Sequence, residues 1–255
     1  PQPPPARGGR VDGRLIAVAS GKGGVGKTWF AITLAHALAR AGRRVLLFDA
    51  DLGLANVDIQ LGLTPKHDIS AVLAGRMSLA DCVLSYAPGG FDILPGQSGS
   101  GVLAALDPGA LEACLAALRE AAGRCDVVLL DLGAGLERMV RRMAAFADAL
   151  LVLATEEPTS LTDAYAVLKL HASDRPDGDA RVVVNQATSR AGGERTHATL
   201  LRACQAFLSI TPPLAGVVRR DEHVPEAIRR QTLLLTRHPT SIAAADVEAI
   251  ARSLL

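Results

Sequence analysis

Short runs of consecutive apolar residues alternate along this chain with longer stretches in which apolar residues recur every three or four positions. The uninterrupted runs are typical of strands buried on both faces of a sheet, and the spaced pattern is typical of amphipathic helices. The strands are predicted at residues 15–20, 45–48, 91–94, 127–130, 150–154, 181–184 and 214–218. The helices are predicted at residues 28–40, 57–61, 69–73, 79–84, 108–122, 137–146, 161–170, 195–208, 224–230 and 241–254. This alternation predicts an α/β fold, a three-layer sandwich in which helices cover both faces of a mostly parallel, twisted sheet.

Length and composition favour one folded domain. The chain has 255 residues, of which 49 % are hydrophobic and 21 % are charged, and this balance excludes disorder for the bulk of the chain. No linker divides the sequence, so residues 15–255 are predicted to form a single domain. The proline- and glycine-rich residues 1–14 are predicted to be a disordered leader.

Charge and cysteine content exclude several classes of protein. The formal net charge is +1 and aromatic residues make up 3 %, so neither a general attraction to nucleic acid or anionic membranes nor a base-stacking platform is expected. The four cysteines form no C-x-x-C pair, which favours reduced, mostly buried thiols in a cytoplasmic protein.

Lysine is rare in this chain, and its positions are informative. There are four lysines against 23 arginines, and Lys22 and Lys27 both lie in one glycine-rich stretch. The lysine ammonium is a compact point charge that a guanidinium cannot replace in a narrow loop. We therefore expect both lysines to serve the chemistry of that loop.

The glycine-rich stretch at residues 21–28 reads G-K-G-G-V-G-K-T and lies between a predicted strand and a predicted helix. It matches the phosphate-binding pattern G-x-x-x-x-G-K-[ST] in the context that the pattern requires, which disfavours the alternative of a plain glycine turn. Lys27 is expected to contact the β- and γ-phosphates of a nucleotide, and the Thr28 hydroxyl to ligate Mg²⁺. The predicted nucleotide-binding residues of this stretch are Gly23, Gly24, Val25, Gly26, Lys27, Thr28 and Trp29.

Acidic residues follow two of the predicted strands directly. Asp49 and Asp51 come after the strand at 45–48, and Asp131 comes after the strand at 127–130. Ligands of open α/β sheets bind beyond the carboxyl ends of the strands, so these carboxylates are expected near the phosphate loop. Asp131, which two glycines follow, is predicted to hold Mg²⁺ through water; the alternative is a helix N-cap.

The loop resembles that of the MinD/ParA family of dimerising ATPases. Lys22 at its second position gives the deviant form of that family, G-K-G-G-x-G-K-[ST]. The most similar branch is that of the flagellar number regulators, FlhG or FleN, whose pattern is matched by residues 49–63, D-A-D-L-G-L-A-N-V-D-I-Q-L-G-L. Further matches lie at residues 94–96, 131–135, 157–165, 183–186 and 227–231. The resemblance covers residues 15–254, nearly the whole chain.

This resemblance implies a P-loop NTPase of the SIMIBI type that hydrolyses ATP to ADP slowly with Mg²⁺. The lysine matched by Lys22 reaches the nucleotide of the partner subunit, and the aspartate matched by Asp51 orients the attacking water. Asn185 is expected to pair with the adenine edge; the alternative is a turn asparagine after a strand. The predicted site comprises the catalytic residues Lys22, Lys27 and Asp51, the metal residues Thr28, Asp49 and Asp131, and the adenine contact Asn185.

The resemblance further implies a homodimer in the ATP state that regulates flagellar number or placement. Its expected partners are flagellar proteins: the SRP-type GTPase FlhF, a flagellar transcription regulator or switch-complex proteins. The protein is expected in the cytoplasm, recruited to the cell pole or membrane by partners, with no specific nucleic acid. Residues 241–255 hold one arginine and no aromatic residue, too little for autonomous membrane binding.

Two other classes of protein are alternatives. One is a ParA-type DNA-partition ATPase or another cargo-positioning ATPase; the DNA-partition proteins have an aspartate-proline-glutamine sequence that residues 49–51 lack. The other is a metabolic enzyme on the same loop. An amide ligase would carry a second glutaminase domain, for which there is no room, and an iron–sulfur reductase would place a cluster-binding cysteine just after Asp131, where residues 132–136 have none. The flagellar regulator is therefore the favoured hypothesis.

Overall fold

A computed structural model describes residues 13–51, 54–96 and 108–255. Its strands are β1 (Arg14–Ala19), β2 (Val45–Ala50), β3 (Leu84–Tyr86), β4 (Phe91–Leu94), β5 (Val127–Leu132), β6 (Ala149–Ala154), β7 (Asp179–Ala187) and β8 (Leu214–Arg219). Within these described ranges they form one sheet in the order β3-β4-β2-β5-β1-β6-β7-β8. Neighbouring strands run parallel, except that β3 is antiparallel to β4.

Helices cover both faces of this sheet. They are α1 (Lys27–Arg40), α2 (Val57–Leu61), α3 (Ile69–Leu73), α4 (Leu79–Cys82), α5 (Pro108–Ala122), α6 (Arg138–Phe146), α7 (Pro158–Asp174), α8 (Arg190–Leu208), α9 (His223–Arg229), α10 (Leu234–Arg237) and α11 (Ile242–Leu254). Along β1, Leu15 and Ala17 join a buried cluster with α3 to α8, whereas Ile16 and Val18 join a second cluster with α1, α2 and α9 to α11. Successive side chains of a strand point to opposite faces, so each strand contributes to both clusters. The predicted α/β sandwich is confirmed.

All of the predicted strands are present, but one helix boundary is wrong. The helix predicted at residues 79–84 ends at Cys82 because Val83 is extended. Leu84 then begins β3 and pairs with Ile93 of β4. A three-residue edge strand is too short to show a pattern of alternation in the sequence.

Other boundaries shift by a few residues. Pro158 lies in the first turn of α7, where its missing N–H costs nothing, so this helix begins before the predicted residue 161. Helix α8 begins at Arg190, five residues ahead of the predicted start, and Ser189 caps it by accepting a hydrogen bond from the Gly192 N–H. Residues 1–12 of the predicted leader lie outside the described ranges.

The strand order brings the predicted acidic residues together. Because β5 lies between β2 and β1, Asp131 is in register with Asp49 on one side and with Val18 on the other. The carboxyl ends of these parallel strands meet at one edge of the sheet, where the phosphate loop also leaves β1. The fold therefore gathers the candidate site from three adjacent strands.

The last helix, α11, is part of the folded core. Its side chains Ala243, Val247, Ile250 and Leu254 are buried against α1 and β8. Within the part of the chain that the structure describes, no helix is long and apolar enough to cross a bilayer. The apolar face of α11 is thus already occupied by the protein itself.

We predict that this chain alone does not co-sediment with anionic liposomes, with ADP or with a non-hydrolysable ATP analogue. Insertion of α11 would remove its apolar side chains from the core, and Arg252 is the one basic residue in the helix. Centrifugation of the purified chain with vesicles tests this, with a chain that carries an added basic amphipathic helix as positive control. Pelleting of the unmodified chain in the presence of the ATP analogue would contradict the prediction.

Candidate functional site

The phosphate loop spans the turn between β1 and α1. Gly24 and Gly26 have φ values of 81° and 85°, in the left-handed region that favours glycine. A Cβ atom on Gly26 would lie 2.6 Å from Nδ2 of Asn185, so a larger residue is excluded by space as well as by conformation. The Ser20 hydroxyl donates to the Lys22 carbonyl at 2.9 Å and closes the start of the loop. In a glycine loop of this kind, successive backbone N–H groups can surround an anion.

At the start of α1, Lys27 forms a buried ion pair with Asp131 of β5. The Lys27 Nζ lies 3.1 Å from Oδ1 of Asp131, and the two residues are only 7 % and 0 % exposed. Burial raises the pKa of Asp131, and the nearby Lys27 charge and Thr28 hydroxyl oppose that rise. The structure therefore brings together Lys27, Thr28 and Asp131, which the sequence predicted to share one site.

The Oδ2 atom of Asp131, which is outside the ion pair with Lys27, is a candidate ligand for a cation. Among the described residues, Oδ2 of Asp131 is buried and has no hydrogen-bond partner. Asp49 lies beside Asp131 across the β2–β5 pairing, so two buried carboxyl groups are adjacent, and Lys27 pairs with Asp131. An unpaired carboxylate oxygen beside a second carboxyl group fits Mg²⁺, which binds oxygen ligands.

Asp49 also accepts hydrogen bonds from the backbone at the start of α2. Its Oδ2 accepts hydrogen bonds from the N–H groups of Asn56 and Val57, each at 2.9 Å, and its Oδ1 accepts one from Asp51 at 3.4 Å. Burial, together with the charge of Asp131, raises the pKa of Asp49 to about 7. The structure thus places Asp49 at the start of α2 as an anchor, and its predicted support of the metal stays a prediction.

Asp51 lies where the loops after β2 and β5 meet. Its Oδ1 accepts a hydrogen bond from the Leu54 N–H at 3.2 Å and lies 3.3 Å from the point where a Cβ on Gly133 would be. Gly133 therefore leaves room for the Asp51 carboxylate against the β5–α6 loop. That loop is tied in turn to the phosphate loop, because the Gly135 N–H donates to the Ser20 carbonyl at 3.0 Å.

Lys22 points to α7 rather than into the phosphate loop. Its Nζ lies 2.6 Å from Glu157 Oε2 and donates to the Thr159 hydroxyl at 3.0 Å. This ion pair lowers the pKa of the Glu157 carboxyl. Sequence reasoning assigned no role to Glu157 or Thr159, although the segment at 157–165 that holds them matched the family pattern.

Asn185 ends up under the phosphate loop. It lies in β7, is 2 % exposed, and donates its side-chain amide to the Val25 carbonyl at 2.8 Å. The next residue, Gln186, donates to the Gly24 carbonyl at 3.3 Å, a contact that the sequence did not reveal. Both amides brace the loop, and the predicted adenine contact of Asn185 stays a prediction.

The side chain of Trp29, a predicted nucleotide-binding residue, points into the core and not towards the phosphate loop. The indole is 6 % exposed and packs in the cluster shared by α1 and the sheet. Only its backbone N–H, in the first turn of α1, is placed to face a phosphate.

Comparison with known proteins identifies the family of this chain. The profile of the CobQ/CobB/MinD/ParA nucleotide binding domain matches residues 16–234. The chain belongs to this family. It is therefore an ATPase of the MinD/ParA type, whose nucleotides are ATP and ADP.

Curated relatives cover most of the chain. The antiactivator FleN of Pseudomonas aeruginosa is 40 % identical over 241 residues, which are 94 % of this chain and 86 % of FleN. The flagellum site-determining protein YlxH of Helicobacter pylori is 26 % identical over 95 % of this chain and 82 % of YlxH. Among solved structures, the septum site-determining protein MinD of Pyrococcus horikoshii, complexed with Mg-ADP, has the same fold, with a TM-score of 0.79 and 24 % identity over 94 % of this chain and 95 % of MinD.

The buried ion pair gives a direct test of the phosphate site. We predict that Lys27→Ala abolishes nucleotide binding, because the loop loses the one cation buried at its base. Titration with a fluorescent ATP analogue measures this, and thermal unfolding verifies that the variant is folded. Lys66→Ala, at an exposed lysine outside the site, is the matched control and should bind like the wild type. Binding of near-normal affinity by Lys27→Ala would refute the assignment.

Proposed function

We propose that this protein is an ATP-switched regulator of flagellar number or placement, which dimerises with ATP and is reset by hydrolysis. The buried Lys27–Asp131 pair beneath a complete phosphate loop carries the ATPase part of the proposal. The identity of 40 % to the antiactivator FleN, over 94 % of the chain, supports the flagellar part. The similarity to a flagellum site-determining protein points to the same process.

In this proposal the residues of the loop bind the nucleotide phosphates. The N–H groups at residues 23–28 donate to phosphate oxygens, and Lys27 neutralises the β- and γ-phosphates. Thr28 and Asp131 hold Mg²⁺, with Asp49 beside them. When bound, the metal neutralises negative charge on the phosphates during transfer.

Asp51 orients the water that attacks the γ-phosphate. Its position between the loops after β2 and β5 supports this role, since both loops border the carboxyl ends of the strands beside the phosphate loop. A carboxylate that accepts a proton or hydrogen bond from the attacking water needs this kind of fixed placement. The contact with Leu54 also ties Asp51 to the segment that leads into α2.

Dimerisation depends on Lys22. In the single chain its ammonium group is held by Glu157 and Thr159, and the Lys22 side chain is 32 % exposed. We propose that in the ATP state Lys22 leaves these partners and contacts the nucleotide of the other subunit. The phosphates of a bound nucleotide carry more negative charge than one carboxylate, which favours this exchange.

In this proposal the nucleotide state controls the binding of flagellar proteins in the cytoplasm. The candidates are an SRP-type GTPase of the FlhF kind, a flagellar transcription regulator and switch-complex proteins. Recruitment to the cell pole or membrane then comes from such partners, because α11 packs in the core. Pull-down of these proteins by the chain loaded with ADP or with a non-hydrolysable ATP analogue tests this part of the proposal.

For hydrolysis, we predict that Asp51→Ala retains ATP binding and lowers kcat by about a hundredfold or more, the usual cost of losing a proton-handling group. The variant should accumulate as a dimer with ATP, which size-exclusion chromatography with light scattering detects. Asp177→Ala removes an exposed carboxylate far from the loop and is the control. Full ATPase activity in Asp51→Ala would exclude it as the water-orienting residue.

For dimerisation, we predict that Lys22→Ala binds ATP as a monomer and neither dimerises nor hydrolyses it. Glu157→Gln should shift the equilibrium towards the dimer, because it weakens the contact that holds Lys22 within its own chain. Analytical ultracentrifugation with the ATP analogue measures both effects, with the exposed Lys169 replaced by alanine as control. Normal dimerisation of Lys22→Ala would contradict the proposed contact of Lys22 with the nucleotide of the other subunit.

A further inference from the structure

Gln231 has an unusual backbone conformation for its residue type. In the described part of the chain, three residues other than glycine have a positive φ, and Gln231, at 52°, is one of them. This left-handed conformation is costly for a residue with a long side chain and is found preferentially at functional sites. Gln231 also ends the segment at 227–231, which matched the family pattern but has no role in the proposed mechanism.

The strain arises where α9 ends. The Gln231 N–H donates to the Ile228 carbonyl and the Thr232 N–H donates to the Ala227 carbonyl, each at 3.0 Å. This pair of bonds forms a Schellman motif, in which glycine is the usual residue at the left-handed position. A glutamine there needs a compensating contact from its side chain.

That contact is made with α2. The Gln231 Nε2 donates to the Ile59 carbonyl at 2.8 Å, although the two residues are 172 positions apart. Helix α2 also ends in a Schellman motif, with Gly62 at the left-handed position and a φ of 66°. A Cβ on Gly62 would lie 2.9 Å from the Gln231 Oε1, so glycine makes room for the amide.

The other end of α2 is held by the candidate site. Asp49 accepts hydrogen bonds from the N–H groups of Asn56 and Val57, at the start of the helix. Asp51 lies in the segment between β2 and this start. Helix α2 is thus fixed at its amino end by Asp49 and at its carboxyl end by Gln231, and the Leu54 N–H, three residues before the helix, donates to Asp51.

We propose that Gln231 is a positioning residue for ATP hydrolysis, which holds α2 so that Asp51 stays against the β5–α6 loop. This inference rests on the proposed role of Asp51. Gln231 donates to no carbonyl of the phosphate loop; the amides that brace that loop belong to Asn185 and Gln186. Loss of the Gln231 amide should therefore lower kcat and leave ATP affinity unchanged.

Two substitutions of Gln231 distinguish a positioning role in hydrolysis from a general role in folding. Gln231→Glu keeps the length of the side chain but turns a carboxylate oxygen towards the Ile59 oxygen. Gln231→Gly removes the amide and also relieves the backbone strain, so the protein should stay as stable as the wild type or become more stable. In both variants kcat should fall by about three- to tenfold, the effect of one hydrogen bond on a barrier, while the directly measured ATP dissociation constant stays the same.

Hydrogen–deuterium exchange of the amides at residues 57–63 gives a readout independent of catalysis, and it should become faster in both Gln231 variants. Arg230→Ala, at the neighbouring exposed residue whose side chain pairs with Glu226 in its own helix, is the control and should match the wild type. Wild-type kcat and exchange in Gln231→Gly and Gln231→Glu would overturn the proposal. A parallel loss of thermal stability and ATP affinity in Gln231→Gly would overturn it as well, since it would indicate a structural role.

Wild-type protein and Asp51→Ala complete the experiment. A wild type without ATPase activity, or an active Asp51→Ala, would refute the proposed function, whereas the exchange of α2 would still report whether Gln231 holds the helix. The two failures are therefore distinguishable.

Discussion

The buried pair of Lys27 and Asp131 is the interaction on which the arrangement of the site depends. Two charges with almost no access to water are costly to bury, and their attraction offsets that cost only when the geometry is good. Removal of either partner from such a pair typically destabilises a protein by about 3–5 kcal/mol, because the other charge is left uncompensated. The pair also fixes the first turn of α1 against the end of β5, so the phosphate loop cannot shift relative to the sheet. Stability and nucleotide binding therefore depend on the same contact.

A second buried carboxyl group, that of Asp49, lies beside the pair. Register between β2 and β5 sets Asp49 beside Asp131, and burial with this like charge raises the pKa of Asp49 to about 7. Backbone N–H groups from the start of α2 offset part of the cost by donating to the Asp49 carboxylate. Asp51, whose N–H donates to the Asp49 carboxylate, is consequently linked to the same pair of acids as the phosphate loop.

Much of this site could be predicted from the sequence because local patterns determine it. The loop, its strand and helix, and the acids after β2 and β5 are each encoded within a few consecutive residues. The contacts of Lys22 with Glu157 and of Gln231 with Ile59 join segments 135 and 172 positions apart, so no local pattern shows them. For the same reason β3 was missed: three residues acquire a strand conformation only by pairing with β4. The inward turn of the Trp29 indole depends likewise on packing against distant elements.

The two lysines of the loop differ in burial: the ion pair of Lys27 is buried, whereas that of Lys22 is exposed and can change partner more easily. Lys27 is buried against a carboxylate that has no access to water, so its position is fixed before any nucleotide arrives. Lys22 is paired with a Glu157 side chain that is 67 % exposed, and water screens that contact strongly. Exchange of the Glu157 carboxylate for a more highly charged anion therefore needs little reorganisation of the fold. The proposed ATP-dependent dimer needs this arrangement, since the Lys22–Glu157 contact must be exchanged for one with the nucleotide of the other subunit while the Lys27–Asp131 contact is kept.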